Sequence, residues 1–192
     1  MTFEEYISDL WDDYTIQNEQ SLENPSKFIY HTVLALGARN VLEAGCNVGN
    51  NLRDFPKTFD VEGFDLSEYA IDKCRKQYPE FKFKLGSIAK IPYPDSSFDL
   101  VFTRAVLIHI KSNEVKQVMN ELLRVSKKWI FNIEFFGENE DMIHWKRGDN
   151  LLWYRNMKKR WSDFQVELIS DVEIPIDLDI NKVRFTLVRK MV

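Results

Sequence analysis

The stretch "VLEAGCNVGNNL", Val41 to Leu52, decides the fold of this chain. Its first residues predict a short buried strand, and two glycines, Gly45 and Gly49, follow four positions apart. Glycine at a strand end lets the main chain turn sharply and lets a ligand approach the backbone closely. The spacing is not the Gly-x-Gly-x-x-Gly of dinucleotide-binding dehydrogenases, and the Gly-Lys-Ser/Thr ending of a triphosphate-binding loop is missing. Glu43 lies two positions before Gly45, where a carboxylate suits a cationic ligand and repels a pyrophosphate.

The composition excludes several classes of protein. A chain of 192 residues that is 44% hydrophobic and 29% charged predicts one globular domain. Its formal charge of −4 argues against general nucleic-acid binding, which needs a basic surface. Cys46 and Cys74 form no Cys-x-x-Cys pair, so we expect neither a disulfide framework nor a metal site, and a reducing cytoplasm fits. We expect no signal peptide and no membrane span, because the apolar runs are far too short.

Strands and helices alternate along the chain. This order predicts an α/β fold with a parallel sheet, right-handed crossovers and helices on both faces, closed by a terminal antiparallel strand pair. The predicted helices cover 26–36, 50–55, 68–78, 113–125 and 154–164, and the predicted strands cover 40–45, 59–65, 81–87, 98–105, 127–136, 164–174 and 182–190. Ligands of such sheets bind beyond the carboxyl ends of the strands, where the strand order reverses.

The loops at those strand ends carry polar groups suited to a nucleoside. Asp65 comes 20 residues after Gly45 and can accept hydrogen bonds from both hydroxyls of a ribose. The loop 86–88 follows the third strand, where a side chain or backbone group can meet an adenine edge. Thr103 and Arg104 follow the fourth strand. Each feature alone is common, and Asp65 could simply be a charge at a helix start, but their order along the chain predicts one pocket.

This pattern resembles the class I S-adenosylmethionine-dependent methyltransferases. Glu43-x-Gly45-x-x-x-Gly49 resembles their first motif, "GFDLS" their acidic second-strand end, and "IPYPDSSFDLVFTRAVLIHI" their fourth-strand region. The resemblance implies a Rossmann-like, mostly parallel seven-stranded sheet, with S-adenosylmethionine as cofactor and S-adenosylhomocysteine as product. It implies the following cofactor contacts: Tyr14, Asn18, Glu43, Gly45, Cys46, Asn47, Gly49, Asp65, Leu66, Gly86, Ser87, Ile88 and Thr103. Ser87 departs from the pattern, since many members carry Asp there.

A narrower resemblance runs along most of the chain. "DDYTIQN", "LEAGCNVGNNLR", "LVFTRAVLIHI" and the "EFF" after the fifth strand are similar to the pseudaminic acid biosynthesis-associated methylases. That similarity implies a small-molecule acceptor, namely an oxygen or nitrogen of a sugar or sugar nucleotide. Arg104 stands where the family leads us to expect Lys, and "WKRGDNLLWYRN" is less basic than expected. The segment that should meet the acceptor therefore departs from the pattern.

The resemblance also predicts the organisation of the chain. Residues 1–192 form one methyltransferase domain, with residues 1–25 as a lid over the cofactor and residues 136–164 as an insertion on the substrate side. Tyr14 and Asn18 would lie on one helical face of the lid, at positions i and i+4. The alternative is that the aromatic residues of this segment simply pack on the sheet.

The chemistry suggests candidates for catalysis and for acceptor binding. Methyl transfer is an in-line displacement, so the enzyme mainly positions the acceptor and excludes water. A hydroxyl or ammonium acceptor also needs a base, for which we propose His109 first and Glu134 second. A carboxylate acceptor needs none. Arg104, Arg147 and Arg155 are candidates for gripping an anionic acceptor. The alternatives are a histidine bonded to backbone and a salt bridge between Glu134 and an arginine.

Three further functions compete with methylation of a sugar. The chain could methylate an amino acid or a carboxylate, or it could bind S-adenosylmethionine without catalysis, as a partner subunit or sensor. An NAD-linked oxidoreductase is disfavoured by the missing third glycine and by Glu43.

Overall fold

The computed structural model describes Asp12, Thr15 and residues 25–144, 151–175 and 182–191. The predicted contacts of Tyr14, Asn18 and Arg147 lie outside the described residues. The helices are α1 Ser26–Ala35, α2 Glu68–Gln77, α3 Val115–Val125 and α4 Met157–Trp161, with short 3₁₀ helices at Asn50–Leu52 and Leu107–His109. The strands are β1 Asn40–Ala44, β2 Asp60–Asp65, β3 Lys82–Leu85, β4 Phe98–Arg104, β5 Ser126–Phe135, β6 Asp141–Met142, β7 Trp153–Tyr154, β8 Val166–Glu173 and β9 Val183–Lys190.

The described strands form a seven-stranded sheet in the order β3-β2-β1-β4-β5-β9-β8, which confirms the predicted fold. Strands β1 to β5 run parallel, and β9 pairs antiparallel with both β5 and β8. Strands β6 and β7 make a separate antiparallel pair. The strand order reverses between β1 and β4, so the loops after these two strands face each other across the switch point.

Helices cover both faces of the sheet. Apolar residues of α1 and α2, such as Ile29 and Ile71, belong to one buried cluster, and residues of α3, such as Leu122, belong to another. Strand β1 contributes to both clusters, with Val41 on one side and Leu42 on the other, because successive side chains of a strand point to opposite faces. Along the described part of the chain, no helix is long and apolar enough to cross a membrane.

Two predicted helices are shorter than expected. The helix predicted at 50–55 is the three-residue 3₁₀ helix Asn50–Leu52. Gly49, in the left-handed region at φ 77°, and Pro56 confine this segment, and the residue before a proline disfavours the α conformation. The helix predicted at 154–164 is α4, with Asn156 as its cap: the Asn156 side chain accepts a hydrogen bond from the Lys159 amide. Residues before this cap pair in β7 instead.

Candidate functional site

The loop after β1 is fixed to β2 by its backbone. Gly45 has a φ of 79°, and the amides of Gly45 and Cys46 both donate to the Phe64 carbonyl, at 2.9 and 3.0 Å. A Cβ atom added to Gly45 would lie 2.6 Å from a Val106 methyl group. Glycine is therefore required twice here, for the left-handed backbone and for close contact with the segment that follows β4.

Asp65 at the end of β2 holds this loop and remains able to accept further hydrogen bonds. Its Oδ2 accepts from the Asn47 amide at 2.8 Å, and its Oδ1 accepts from the Ser67 amide at 3.0 Å. Burial raises the pKa of Asp65, and these amide hydrogen bonds oppose the rise. Each carboxylate oxygen can accept more than one hydrogen bond. Asp65 can therefore receive the two hydroxyls of a ribose.

Glu43 is the most unusual group of the donor side, because it is a buried carboxyl that is only half satisfied. Its side chain is fully buried, and its Oε1 accepts from Asn51 Nδ2 at 2.6 Å. Its Oε2 has no hydrogen-bond partner among the described residues. Burial raises the pKa of Glu43 to about 8, against the hydrogen bond from Asn51 and the charge of Arg104. A buried acidic oxygen without a partner is costly unless a cation or donor reaches it, so the site fits a cationic ligand.

The loop after β3 lies beside Asp65. The Gly86 amide donates to the Asp65 carbonyl at 2.9 Å, and the Ser87 hydroxyl accepts from the Ala89 amide at 3.2 Å. Ser87 is exposed, while Ile88 is half-buried. The Ser87 side chain thus stabilises its own turn, which leaves backbone groups and Ile88 as the groups that can meet an adenine.

Asp12 and Thr15 are the residues ahead of Pro25 that the structure describes. Asp12 accepts a hydrogen bond from the Ser67 hydroxyl, two residues beyond Asp65, and Thr15 is buried. Asp12 therefore contacts the residue that caps α2, next to the end of β2.

His109 lies in the segment 105–110, which follows the carboxyl end of β4 and precedes α3. Its Nδ1 is 2.8 Å from the Leu151 carbonyl oxygen. Since a carbonyl only accepts, this contact assigns the hydrogen to Nδ1 and leaves Nε2 as the basic nitrogen. Burial lowers the pKa of His109 to about 4; the Leu151 contact opposes this fall, and the charge of Arg155 adds to it. The imidazole is therefore neutral near pH 7, which is the form that a base requires.

Glu134 and Thr103 point into the protein. Glu134 is 2% exposed and accepts from the Thr103 hydroxyl at 2.7 Å and from the amides of Val106 and Ile108, both at 3.3 Å. Burial raises the pKa of Glu134, against these hydrogen bonds. Thr103 is fully buried. The geometry therefore favours support of segment 105–110 over the predicted roles of Glu134 as a base and Thr103 as a cofactor contact.

Two of the arginines predicted to bind the acceptor interact with groups of the protein itself. Arg155 is 2% exposed, donates to the carbonyls of Leu107 and Ile110, and pairs with Glu140 at 2.7 Å. Arg104 is half-buried, and its charge lowers the pKa of Glu43. The charge of Arg155 is thus used within the protein, and that of Arg104 acts on the donor side.

Comparisons with known proteins agree with this geometry. Residues 42–129 match the model of a family described as a methyltransferase domain. The matched region runs from β1 into β5 and includes Glu43, the glycine loop and Asp65. An uncharacterized methyltransferase of Schizosaccharomyces pombe is 34% identical over 101 residues, which are 45% of this chain and 36% of that protein. A sterol 24-C-methyltransferase of Gibberella zeae is 28% identical over 117 residues, 57% of this chain and 30% of that protein. The chain spans about a third of the length of these relatives.

The likeness to a solved structure extends beyond residues 42–129. Magnesium protoporphyrin IX methyltransferase from Synechocystis PCC 6803, solved with bound S-adenosylmethionine, superposes with a TM-score of 0.75. It covers 100% of this chain and 98% of that chain at 13% identity, so this likeness concerns the fold.

Several residues of the site belong to no sequence motif and were not predicted. Asn51, which holds Glu43, follows the glycine loop but belongs to no motif. Asn132 and Trp161 join the Thr103 network through hydrogen bonds of 2.8 and 2.7 Å. No local pattern identifies these residues, since Thr103 and Asn132 meet only through the pairing of β4 with β5.

Proposed function

We propose that this protein transfers the methyl group of S-adenosylmethionine to a small polar acceptor, specifically an oxygen or nitrogen of a sugar or sugar nucleotide. Glu43 is the observation that carries the donor half of the proposal, because its buried Oε2, which has no hydrogen-bond partner among the described residues, can bind a cation or an ammonium donor. Asp65 receives the ribose hydroxyls, and the backbone of the glycine loop allows close approach. The lid role of residues 1–25 and the acceptor-side role of residues 136–164 are parts of this proposal.

The sulfonium of the donor supplies an activated methyl group, so the residues of this chain have two tasks. They must orient the acceptor in line with the methyl group, and they must hold the proton that a hydroxyl or ammonium acceptor loses. His109 is the base in this proposal, since Nε2 is the basic nitrogen of its neutral imidazole. The sugar class rests on the resemblance to methylases of surface-sugar pathways. Two free cysteines, both buried, support the cytoplasm as the location.

A carboxylate acceptor is the second candidate. The low pKa of His109 makes it a weak base, and a carboxylate needs no base at all.

The first test is ligand binding measured by thermal shift and calorimetry. We expect S-adenosylmethionine and S-adenosylhomocysteine to raise the melting temperature, whereas NAD should leave it unchanged. Stabilisation by NAD alone would overturn the donor assignment.

A variant at Asp65 tests the placement of the ribose. Asp65→Ala should weaken S-adenosylhomocysteine binding by more than about tenfold, because the ribose loses hydrogen bonds to a charged acceptor. Asp72→Ala, an exposed carboxylate on α2, is the matched control and should bind as the wild type does. Unchanged affinity of the Asp65 variant would place the ribose elsewhere.

The acceptor class is tested with methyl-labelled S-adenosylmethionine and four panels: nucleoside-diphosphate sugars, free amino sugars, amino acids and small carboxylic acids. Label transfer to a sugar compound is the expected result. Transfer to carboxylic acids alone would favour the second candidate, and donor binding without any transfer would favour a non-catalytic S-adenosylmethionine-binding protein.

A further inference from the structure

The segment 105–110 is gripped from two sides by buried groups of opposite charge. Glu134 of β5 accepts hydrogen bonds from the segment's amides at Val106 and Ile108, both at 3.3 Å. Arg155, from the insertion, donates to the segment's carbonyls at Leu107 and Ile110. We propose that Glu134 and Arg155 are a pair of positioning residues that hold this segment so that its His109 faces the acceptor beside the donor loop. This inference rests on the proposed function.

The chemistry of the two side chains matches the groups that they hold. A carboxylate only accepts hydrogen bonds, and a guanidinium only donates them. Amides and carbonyls alternate along the segment, so each charged group binds one type and neither can replace the other. Both side chains are 2% exposed. Water therefore competes little for these contacts.

The segment needs external support because its first residue is strained. Ala105 has a φ of 53°, a left-handed backbone conformation that residues other than glycine rarely adopt. The segment's own bonds are two short turns, from the His109 amide to the Val106 carbonyl at 3.0 Å and from the Ile110 amide to the Leu107 carbonyl at 3.1 Å. Strained backbone persists where the surroundings fix it. The Ala105 amide donates to the Ile133 carbonyl at 2.9 Å, and the charged pair holds four of the residues that follow Ala105, up to Ile110.

A buried chain of hydrogen bonds fixes the orientation of Glu134. Trp161 Nε1 donates to Asn132 Oδ1 at 2.7 Å, Asn132 Nδ2 donates to Thr103 Oγ1 at 2.8 Å, and Thr103 Oγ1 donates to Glu134 Oε1 at 2.7 Å. An indole only donates, so it sets the orientation of the Asn132 amide and thereby the direction of the remaining bonds. Helix α4, which carries Trp161, is thus linked to the acceptor side of the site.

The same segment also borders the donor loop. Val106 packs so closely against Gly45 that a Cβ there would lie 2.6 Å from its methyl group. The donor loop has its own anchors on β2, namely the Phe64 carbonyl and the Asp65 carboxylate. A loosened segment should therefore impair transfer more than it impairs donor binding.

The experiment compares Arg155→Lys, Glu134→Gln and the double variant by hydrogen–deuterium exchange. Lysine keeps the charge but not the planar fork, and glutamine keeps the shape but replaces one acceptor by a donor. We expect each single variant to speed exchange of the 105–110 amides at least tenfold, while exchange in α3 stays at the wild-type rate. The double variant should add little to either single variant, because both act on one element. Lys158→Gln is the control, since Lys158 is an exposed cation on α4.

A functional readout separates positioning from general damage to the fold. With the acceptor found in the labelling screen, kcat should fall at least tenfold in both single variants, while Kd for S-adenosylhomocysteine stays within threefold. Wild-type exchange at 105–110, or an equal acceleration in α3, would overturn the proposal. So would a parallel loss of donor affinity and kcat. Arg155→Lys decides the question alone if Glu134→Gln does not fold. A failure of the proposed function would be seen separately, because the wild type itself would then not bind S-adenosylhomocysteine.

Discussion

Replacing Glu43 by glutamine should remove a large pH dependence from the stability of the ligand-free protein. The substitution keeps the volume of the side chain and the hydrogen bond from Asn51, but it removes the ionisable group. In the wild type, ionisation places a charge on a fully buried carboxyl with one unpartnered oxygen among the described residues. Folding therefore favours the neutral form of Glu43, and a rise in pH should destabilise the wild type.

The sign and the magnitude follow from the pKa of Glu43. Its pKa is about 8 in the folded protein against 4.5 for the ordinary group, so the folded state binds the proton more tightly. The contribution of Glu43 to stability is complete below pH 4.5 and is lost as the pH rises to about 8. At about 1.4 kcal/mol for each pH unit, the loss is roughly 3 kcal/mol at pH 7 and approaches 5 kcal/mol above pH 8.

The assay is urea unfolding followed by tryptophan fluorescence between pH 5 and pH 8. The difference in unfolding free energy between wild type and Glu43→Gln should shift by about 3–4 kcal/mol across this range in favour of the variant. Other buried carboxyls, such as Asp65 and Glu134, cancel in the difference. Glu121→Gln is the matched control: Arg124 lowers the pKa of Glu121, so its difference from the wild type should stay constant over the same range. Parallel curves for wild type and Glu43→Gln would refute the reasoning.

Three further predictions concern the same site. If the donor requires ionised Glu43, the affinity of the wild type for S-adenosylhomocysteine should rise about fivefold from pH 7 to pH 8. The reason is that the ionised fraction of Glu43 grows from about one tenth to about one half over this range. Calorimetry of Glu43→Gln should show no such rise. His109→Gln should lower kcat about 100-fold with a hydroxyl or amine acceptor, with donor Kd unchanged, and full turnover in a label-transfer assay would remove His109 as the base. Gly45→Ala should cost about 2–4 kcal/mol, because strained backbone adds to the clash with Val106. Gly37→Ala, with φ 68° and open space around its Cβ, should cost only about 1 kcal/mol in the same unfolding experiment.

The donor half of the site could be predicted from the sequence because its parts are local. Gly45 and Gly49 adopt the left-handed backbone that makes glycine necessary, and Asp65 follows the strand beside them. Parallel strands bring their carboxyl ends to one edge, so a strand-end residue is placed as soon as its strand is recognised. The alternation of strands and helices along the chain likewise predicted that the strands of the sheet run mostly parallel.

The acceptor half could not be predicted in this way, because its parts come from distant segments. Glu134 and Arg155 both looked like residues facing a substrate, yet both are buried against the same backbone segment. The directions of these two side chains depend on the pairing of β4 with β5 and on the path of the insertion. A local sequence pattern predicts neither. The predicted helices at 50–55 and 154–164 were too long, because the spacing of apolar residues does not show where a left-handed glycine, a proline or a capping residue begins or ends a helix.

The sequence by itself determined the alternation of strands and helices along the chain, the turn after β1 and the carboxylates at the donor edge. These features depend on backbone geometry and on residues close together in the chain. Only the tertiary structure decided which polar side chains face inward. That choice depends on which buried amides and carbonyls need partners. Where β5 and the insertion pack around segment 105–110, Glu134 binds amides of the segment and Arg155 binds its carbonyls.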